Sequence, residues 1–201
     1  RMMSLLDVLA ETNEAATLKT LSQATGLHPS TAHRILAVMA HARLVERQEN
    51  STYALGIRLL ELGNIVKSRI SIGAVARPFM QELHNQIGEA VNLGIRDQDD
   101  IVYVERTSSG RSLVRVVYLV GGRAPLHLPS LGKLFLASDT PTEVRAYAKR
   151  TGLPGKTAHS LTRIDMLEAE LATIRQTAIA YDMEEAEIGL RCVATPILDD
   201  E

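Results

Sequence analysis

The chain has 201 residues, 45% of them hydrophobic, and a formal net charge of −2. That length holds one large domain or two small ones with proper cores, and no run of about 18 apolar residues marks a membrane span. A single cysteine, Cys192, excludes an internal disulfide and a cysteine-built zinc site; with no secretory leader legible, the expected location is a reducing cytoplasm.

Met2, Leu5, Leu6 and Leu9 recur at helical spacing and predict a first amphipathic helix. Thr17 is a cap for a second helix that turns Leu18 and Leu21 inward. Gly26 supplies the permissive backbone of a sharp turn, and Leu27 tucks between the helices. Pro29 fits the first turn of a third helix, where a missing N–H costs nothing. In that helix Ala32, Ile35, Leu36 and Met39 form one apolar stripe. Ser30, Arg34 and His41 lie on the other side, with Thr31 and His33 flanking. Helix, turn and helix with a polar outer edge is the shape that enters a DNA major groove.

Leu44-Val45-Glu46-Arg47 and Thr52-Tyr53-Ala54-Leu55 flank the polar tip Gln48-Glu49-Asn50-Ser51. They predict a hairpin stopped by Gly56, the wing of a winged helix. Ile57, Leu59, Leu60 and Leu62 start a helix that leaves this domain. Val75, Phe79, Leu83 and Ile87 step by four in a linker helix, with Pro78 as a kink or a new start. The expected boundaries are 1–63 for the winged helix, 64–88 for the linker and 89–201 for a second domain.

That second domain opens with the strand Ala90–Arg96, the tip Asp97-Gln98-Asp99-Asp100 and the strand Ile101–Glu105. A strand Leu113–Tyr118 follows the loop Ser108-Ser109-Gly110. Helices are expected at Ser130–Ser138, Pro141–Arg150 and Ile164–Thr177, and last strands at Ile179–Asp182 and Cys192–Leu198. Hairpins mixed with helices predict an α+β fold, an antiparallel sheet flanked by helices.

Three blocks carry a resemblance. The first is Thr25-Gly26-Leu27 through Ser30-Thr31-Ala32-His33-Arg34-Ile35-Leu36, with Val45-Glu46-Arg47 and Tyr53-Ala54-Leu55-Gly56 behind it. The second is Pro125-Leu126-His127, then Leu131-Gly132-Lys133 and Leu136-Ala137. The third is Glu184-Glu185, then Gly189-Leu190-Arg191-Cys192-Val193-Ala194. In this order the chain resembles the IclR family of bacterial transcription regulators. The resemblance implies a winged helix-turn-helix joined by a helix to a GAF-like effector domain. It also implies homodimers or tetramers on palindromic double-stranded operators, and a small organic acid as effector. In the family a glycine, a strand and a final helix follow the third block, and that strand is expected to lend polar groups to the pocket. Here Asp199-Asp200-Glu201 ends the sequence, and Pro129 stands where the family more often has a small residue with a free N–H.

The expected DNA contacts are Ser30, Thr31, His33 and Arg34 at the positive end of the third helix, Arg47 with Asn50 and Ser51 in the wing, and Arg58 behind it. The bland alternative makes Ser30 a helix cap and leaves Thr31 and His33 solvated. Six basic and six acidic residues balance in the first 62, so the DNA reading rests on the motif and not on bulk charge. For the effector, Ser130 and Leu131 open a helix whose free N–H groups suit a carboxylate. The resemblance adds Asp182 and Cys192 across the pocket; the alternatives are a turn residue and a small buried hydrophobe.

Leu113, Val114, Val116, Leu126 and Leu128 are read as core before pocket wall. Glu184, Glu185 and Glu187 read as a solvated acidic turn. The histidines (28, 33, 41, 84, 127 and 159) are scattered without metal-ligand spacing. No metal, cofactor or catalytic set is expected. An enzyme, or a DNA-binding scaffold that ignores ligands, is the rival class.

Overall fold

The computed structural model describes residues 1–12, 14–107 and 120–198. The chain divides into two units, Arg1–Ser71 and Ile72–Glu201. Helix α1 (Met2–Thr12) buries Leu5 and Leu9. Strand β1 (Ala16–Thr17) leads into α2 (Leu18–Thr25), whose first turn is capped by the Thr17 hydroxyl accepting from the Thr20 amide at 3.2 Å. Gly26 ends α2 in the left-handed region, φ 66°, a conformation that strains any side chain. Helix α3 (Pro29–His41) places Ala32, Leu36 and Met39 wholly inside, with Ile35 half-buried beside them. Strands β2 (Val45–Arg47) and β3 (Thr52–Leu55) pair antiparallel with Val45 opposite Leu55 and Arg47 opposite Tyr53, and β1 adds to the other edge of β3. This is a winged helix-turn-helix.

The stretch read as one linker helix, 64–88, lies in two helices. Helix α4 (Arg58–Arg69) ends at Ile70, whose ψ of 78° leaves the helical region, and α5 (Ser71–Ile87) follows. Helix α5 runs through Pro78. Ala76 and Met80 are buried on either side of it, and the helix continues despite the hydrogen bond the proline cannot donate.

In the second unit β4 (Val91–Asp97) and β5 (Asp100–Thr107) form the expected hairpin, with Gln98 at φ 57° in its tip. Strand β6 (Arg123–Pro125) pairs with β5, giving the order β4-β5-β6. Helices α6 (Ser130–Ser138), α7 (Pro141–Thr151) and α8 (Ile164–Thr177) sit where the spacing placed them. Helix α7 starts on a capping box: Thr140 and Glu143 satisfy each other's backbone amides. Strands β7 (Ala180–Met183) and β8 (Arg191–Ala194) form a separate antiparallel ladder packed on α6. The stretch 195–198, read as strand, is not one, because Pro196 has no N–H to offer a ladder. The predicted Ser108–Gly110 loop and Leu113–Tyr118 strand, with the wall residues Leu113, Val114 and Val116, lie outside the described residues, as does Asp199-Asp200-Glu201.

Leu126 and Leu128 are fully buried among Leu134, Leu136, Leu167, Leu171 and Ile174, so the core reading of those two holds. Gly132 is what lets α6 approach this layer. A Cβ there would stand 2.3 Å from the Leu126 carbonyl oxygen, with backbone on every near side. We expect Gly132→Ala to destabilise the chain by about 1–3 kcal/mol. Gly63→Ala, in open space on helix α4, should be neutral or stabilising by up to about 1 kcal/mol. Paired thermal melts of the two variants check this; equal melting points would refute the close approach.

Candidate functional site

The start of α3 is organised by His28 and Pro29. Pro29 takes the first helical position, so the cap falls on His28. The His28 Nδ1 accepts from the Ser30 amide at 3.4 Å and lies 2.8 Å from the Ser30 hydroxyl. Ser30 is therefore not the cap, which corrects the bland alternative; its hydroxyl is exposed at the rim of the first turn. His33 and Arg34 are exposed one turn on, and Thr31 is half-buried. No sequence pattern for a serine or threonine cap points to His28. The signal was its place directly before a proline at N1.

At the wing, Ser51 adopts φ 60° and its amide bonds the Gln48 carbonyl, closing the tip. Asn50 is committed to this turn: its Oδ1 accepts from the Thr52 amide at 3.3 Å and the Thr52 hydroxyl at 2.5 Å. Arg47 is exposed, with its guanidinium 3.5 Å from the Ser51 hydroxyl. Arg58 is also exposed, but Glu61 holds it at 2.6 Å and takes Arg43 as well at 3.2 Å. The Arg58 hydrogen bond keeps the Glu61 carboxyl below the usual range, so the cluster stays paired. Arg34 and Arg47 are exposed and carry no ion pair among the described residues, whereas Asn50 and Arg58 are occupied locally.

In the second unit, Pro129 precedes α6 with no side-chain cap, and its carbonyl takes the Gly132 and Lys133 amides. The Ser130 and Leu131 amides, first in the helix, have no carbonyl one turn back to bond. Ser130 is buried and Leu131 half-buried. Asp182 stands opposite Cys192 in the β7–β8 ladder, on the face shared with Ala180 and Ala194, which pack into the core with α6. Asp182 is a turn organiser in part: Oδ1 accepts from the Glu185 amide at 2.8 Å and the Ala186 amide at 3.4 Å. Its Oδ2 is buried with no hydrogen-bond partner among the described residues. Burial pushes the Asp182 carboxyl up, and the amides and the Lys133 charge pull it back. Burial, then the Asp182 charge, pushes the Cys192 thiol up to about 11, so Cys192 is no thiolate nucleophile at neutral pH.

The acidic turn departs from expectation. Glu184 pairs with Arg191 at 2.9 Å, but Glu185 is buried, and its Oε1 accepts from the Lys133 Nζ at 2.7 Å. Lys133 is fully buried, with Glu170 as a second partner at 3.2 Å. A buried ammonium needs a carboxylate, and it draws this turn onto α6. Ser160 and Thr157 hydroxyls fix the turn further by donating to the Glu185 carbonyl, at 2.7 and 3.3 Å. Nearby, His127 is wholly buried between the Tyr147 hydroxyl (2.8 Å from Nδ1) and the Pro154 carbonyl (3.1 Å from Nε2). Burial lowers the His127 pKa, which is the neutral tautomer's geometry, and burial pushes Tyr147 up to about 12.

Two consequences are measurable. Lys133→Ala strands Glu185 and should cost about 3–5 kcal/mol, whereas Lys133→Met with Glu185→Leu should recover most of it. Urea titrations decide, and a double variant as unstable as the single one contradicts the ion-pair account. His127 has a folded pKa below its unfolded 6.5, so its contribution is complete above that pH and lost as pH falls through the folded value. The melting-point gap between wild type and His127→Asn should shrink below about pH 6.5; a gap constant from pH 5 to 8 would refute it.

Comparison with known proteins accounts for both units. The family model described as "IclR helix-turn-helix domain" matches residues 1–49, and "Bacterial transcriptional regulator IclR C-terminal" matches residues 65–201. The transcriptional repressor IclR of Escherichia coli is 31% identical over 203 residues, covering 100% of this chain and 74% of its own. The solved Thermotoga maritima IclR superposes with a TM-score of 0.75 at 28% identity, covering 98% of this chain and 80% of its own. An IclR homolog from Microbacterium hydrocarbonoxydans, solved with 4-hydroxybenzoate, has the same fold at 24% identity and TM-score 0.82, covering 100% and 84%.

Proposed function

The chain belongs to the IclR family of transcriptional regulators, and on that premise we propose that its first unit reads a palindromic operator while its second senses a small organic acid. The observation that carries the reading is the α3 edge. Ser30, His33 and Arg34 are exposed beside the fully buried Ala32, Leu36 and Met39, so the helix is held from behind and offers its polar side. Ser30, Thr31 and His33 meet phosphates at the positive end of α3, and Arg34 reaches a guanine edge. Arg47 and Ser51 touch the neighbouring backbone from the wing. Arg58 and Asn50 serve this contact only after giving up Glu61 and Thr52.

The working division is residues 1–63 for DNA, 64–88 for the linker and 89–201 for the effector. The effector's carboxylate takes the Ser130 and Leu131 amides, and Asp182 and Cys192 line the facing side. The chain acts as a homodimer or tetramer, as palindromic operators require of a two-fold reader. It works in the cytoplasm; among the described residues no helix is long and apolar enough to cross a membrane. Regulation is by unequal affinity of the effector for DNA-competent and DNA-incompetent states, with the linker as lever. No turnover is assigned. His28 caps a helix, His84 bonds the Glu89 carbonyl and His127 is locked between Tyr147 and Pro154, so three of the histidines are engaged in structure.

Fluorescence anisotropy with the DNA upstream of its own gene tests the reading. Arg34→Ala should weaken binding by about 1–3 kcal/mol while Arg58→Ala changes it less. The balanced charge of the first unit should give a shallow salt slope, with few phosphates neutralised per protomer. Unchanged affinity in a folded Arg34→Ala removes α3 from the interface.

A further inference from the structure

The cap of α3 holds hydrogen bonds that a single proton can reverse. His28 is exposed, with Nδ1 3.4 Å from the Ser30 amide and 2.8 Å from the Ser30 hydroxyl. An amide can only donate, so Nδ1 is the acceptor and the neutral ring carries its proton on Nε2. Two lone pairs would repel at 2.8 Å, so the Ser30 hydroxyl spends its hydrogen on the same nitrogen. While the ring is neutral, both Ser30 donors therefore point at His28, and the hydroxyl offers only lone pairs to an approaching strand of DNA.

A proton on Nδ1 abolishes that acceptor. The new N–H donates to the Ser30 oxygen, which leaves the hydroxyl hydrogen and the Ser30 amide free to bond elsewhere. The ring becomes a cation that keeps Nε2–H as a further donor. Every one of these changes suits an anion. The positive end of α3 opposes a cation at its cap in the free chain, and a phosphate placed there removes the opposition. On α3 the other titratable or charged side chains are His33, Arg34 and His41. The elements packed against it carry Lys19 on α2, Asp7 and Glu11 on α1, and Glu46 and Arg47 on β2. Among the described residues none of them makes a hydrogen bond or ion pair with the His28 ring, whose one side-chain partner is Ser30.

We infer that operator binding takes up a proton at His28. The proton passes from solvent to Nδ1, the Ser30 hydrogen bond reverses, and Ser30 then donates to the phosphate that His28 faces as a cation. This rests on the reading of α3 as the DNA edge and adds its regulation: affinity rises as pH falls. His28 acts on Ser30 as a positioning residue and on the DNA as a titrating contact.

The test is anisotropy with the full chain and the DNA upstream of its own gene, at fixed salt, from about pH 8 down to about pH 6, where histidine changes charge. Wild type should tighten by about threefold or more per pH unit, each proton taken up contributing at most about tenfold. His28→Asn keeps a capping oxygen and cannot titrate, so its affinity should be flat with pH. His33→Gln should keep the wild-type slope, whatever it does to the affinity. Calorimetric titration in two buffers of unlike ionisation enthalpy should show proton uptake in wild type that His28→Asn lacks. Thermal melts at each pH verify that the variants are folded. DNA binding that is independent of pH in wild type overturns this inference and leaves the DNA reading standing. A slope that survives in folded His28→Asn, or vanishes in His33→Gln, overturns it too. No binding to the upstream DNA at any pH overturns both.

Discussion

A lysine with no exposed surface dictates the arrangement of the second unit. Lys133 sits in the first turns of α6, and its ammonium is admitted to the interior only because Glu185 and Glu170 reach it. The desolvation of such a group is large, and it is offset only by close, well-aligned carboxylates. That requirement pulls the turn after β7 onto the helix, and the turn brings Asp182 with it through the Glu185 amide. Gly132 makes the approach possible on the other side by letting α6 lie against the Leu126 backbone. The start of α6 and the Asp182–Cys192 pair are thereby tied to one rigid layer.

The first unit solves a different problem with less. Its helix-turn-helix needs a buried stripe to hold α3 and an exposed polar outer edge. Fully buried Ala32, Leu36 and Met39 supply the stripe, and small or polar residues at the helix start supply the edge. Net charge plays no visible part. Arg43 and Arg58 share the single carboxylate of Glu61, so counting charges over the unit hides which of them are engaged. An exposed pair of this kind is worth little to stability, and its main effect is to occupy cations.

Helices and hairpins were legible because each has a local signature. The 3.6-residue stripe of α3, the polar tip of the wing and the starts of α6, α7 and α8 all follow from residues within a few positions of one another. The break at Ile70 was not, since no glycine or proline marks it, whereas Pro78 marks a break that packing overrides. The site was half legible. Ser130 and Leu131 announce a helix start, but Glu184-Glu185 reads as solvated because its partner Lys133 lies 52 residues away. Long-range pairing turns an acidic run into one surface pair and one buried pair, and no window on the sequence holds both partners. His28 was missed for a smaller reason: histidine is an uncommon cap, and only the following proline fixes its position.

The effector site proposed above has two unlike ends. Helix amides at α6 reward any anion, because a partial positive charge at a helix start does not distinguish one carboxylate from another. Discrimination has to come from the end that rejects. A buried carboxyl oxygen rejects acceptors strongly, both by repulsion in a poorly screened environment and by staying unpaired itself. In Asp182 one oxygen is fastened by two backbone amides, and burial raises its carboxyl above the ordinary value. On the proposed reading, the helix start sets the general class of ligand and the β7–β8 end sets which members of the class fit.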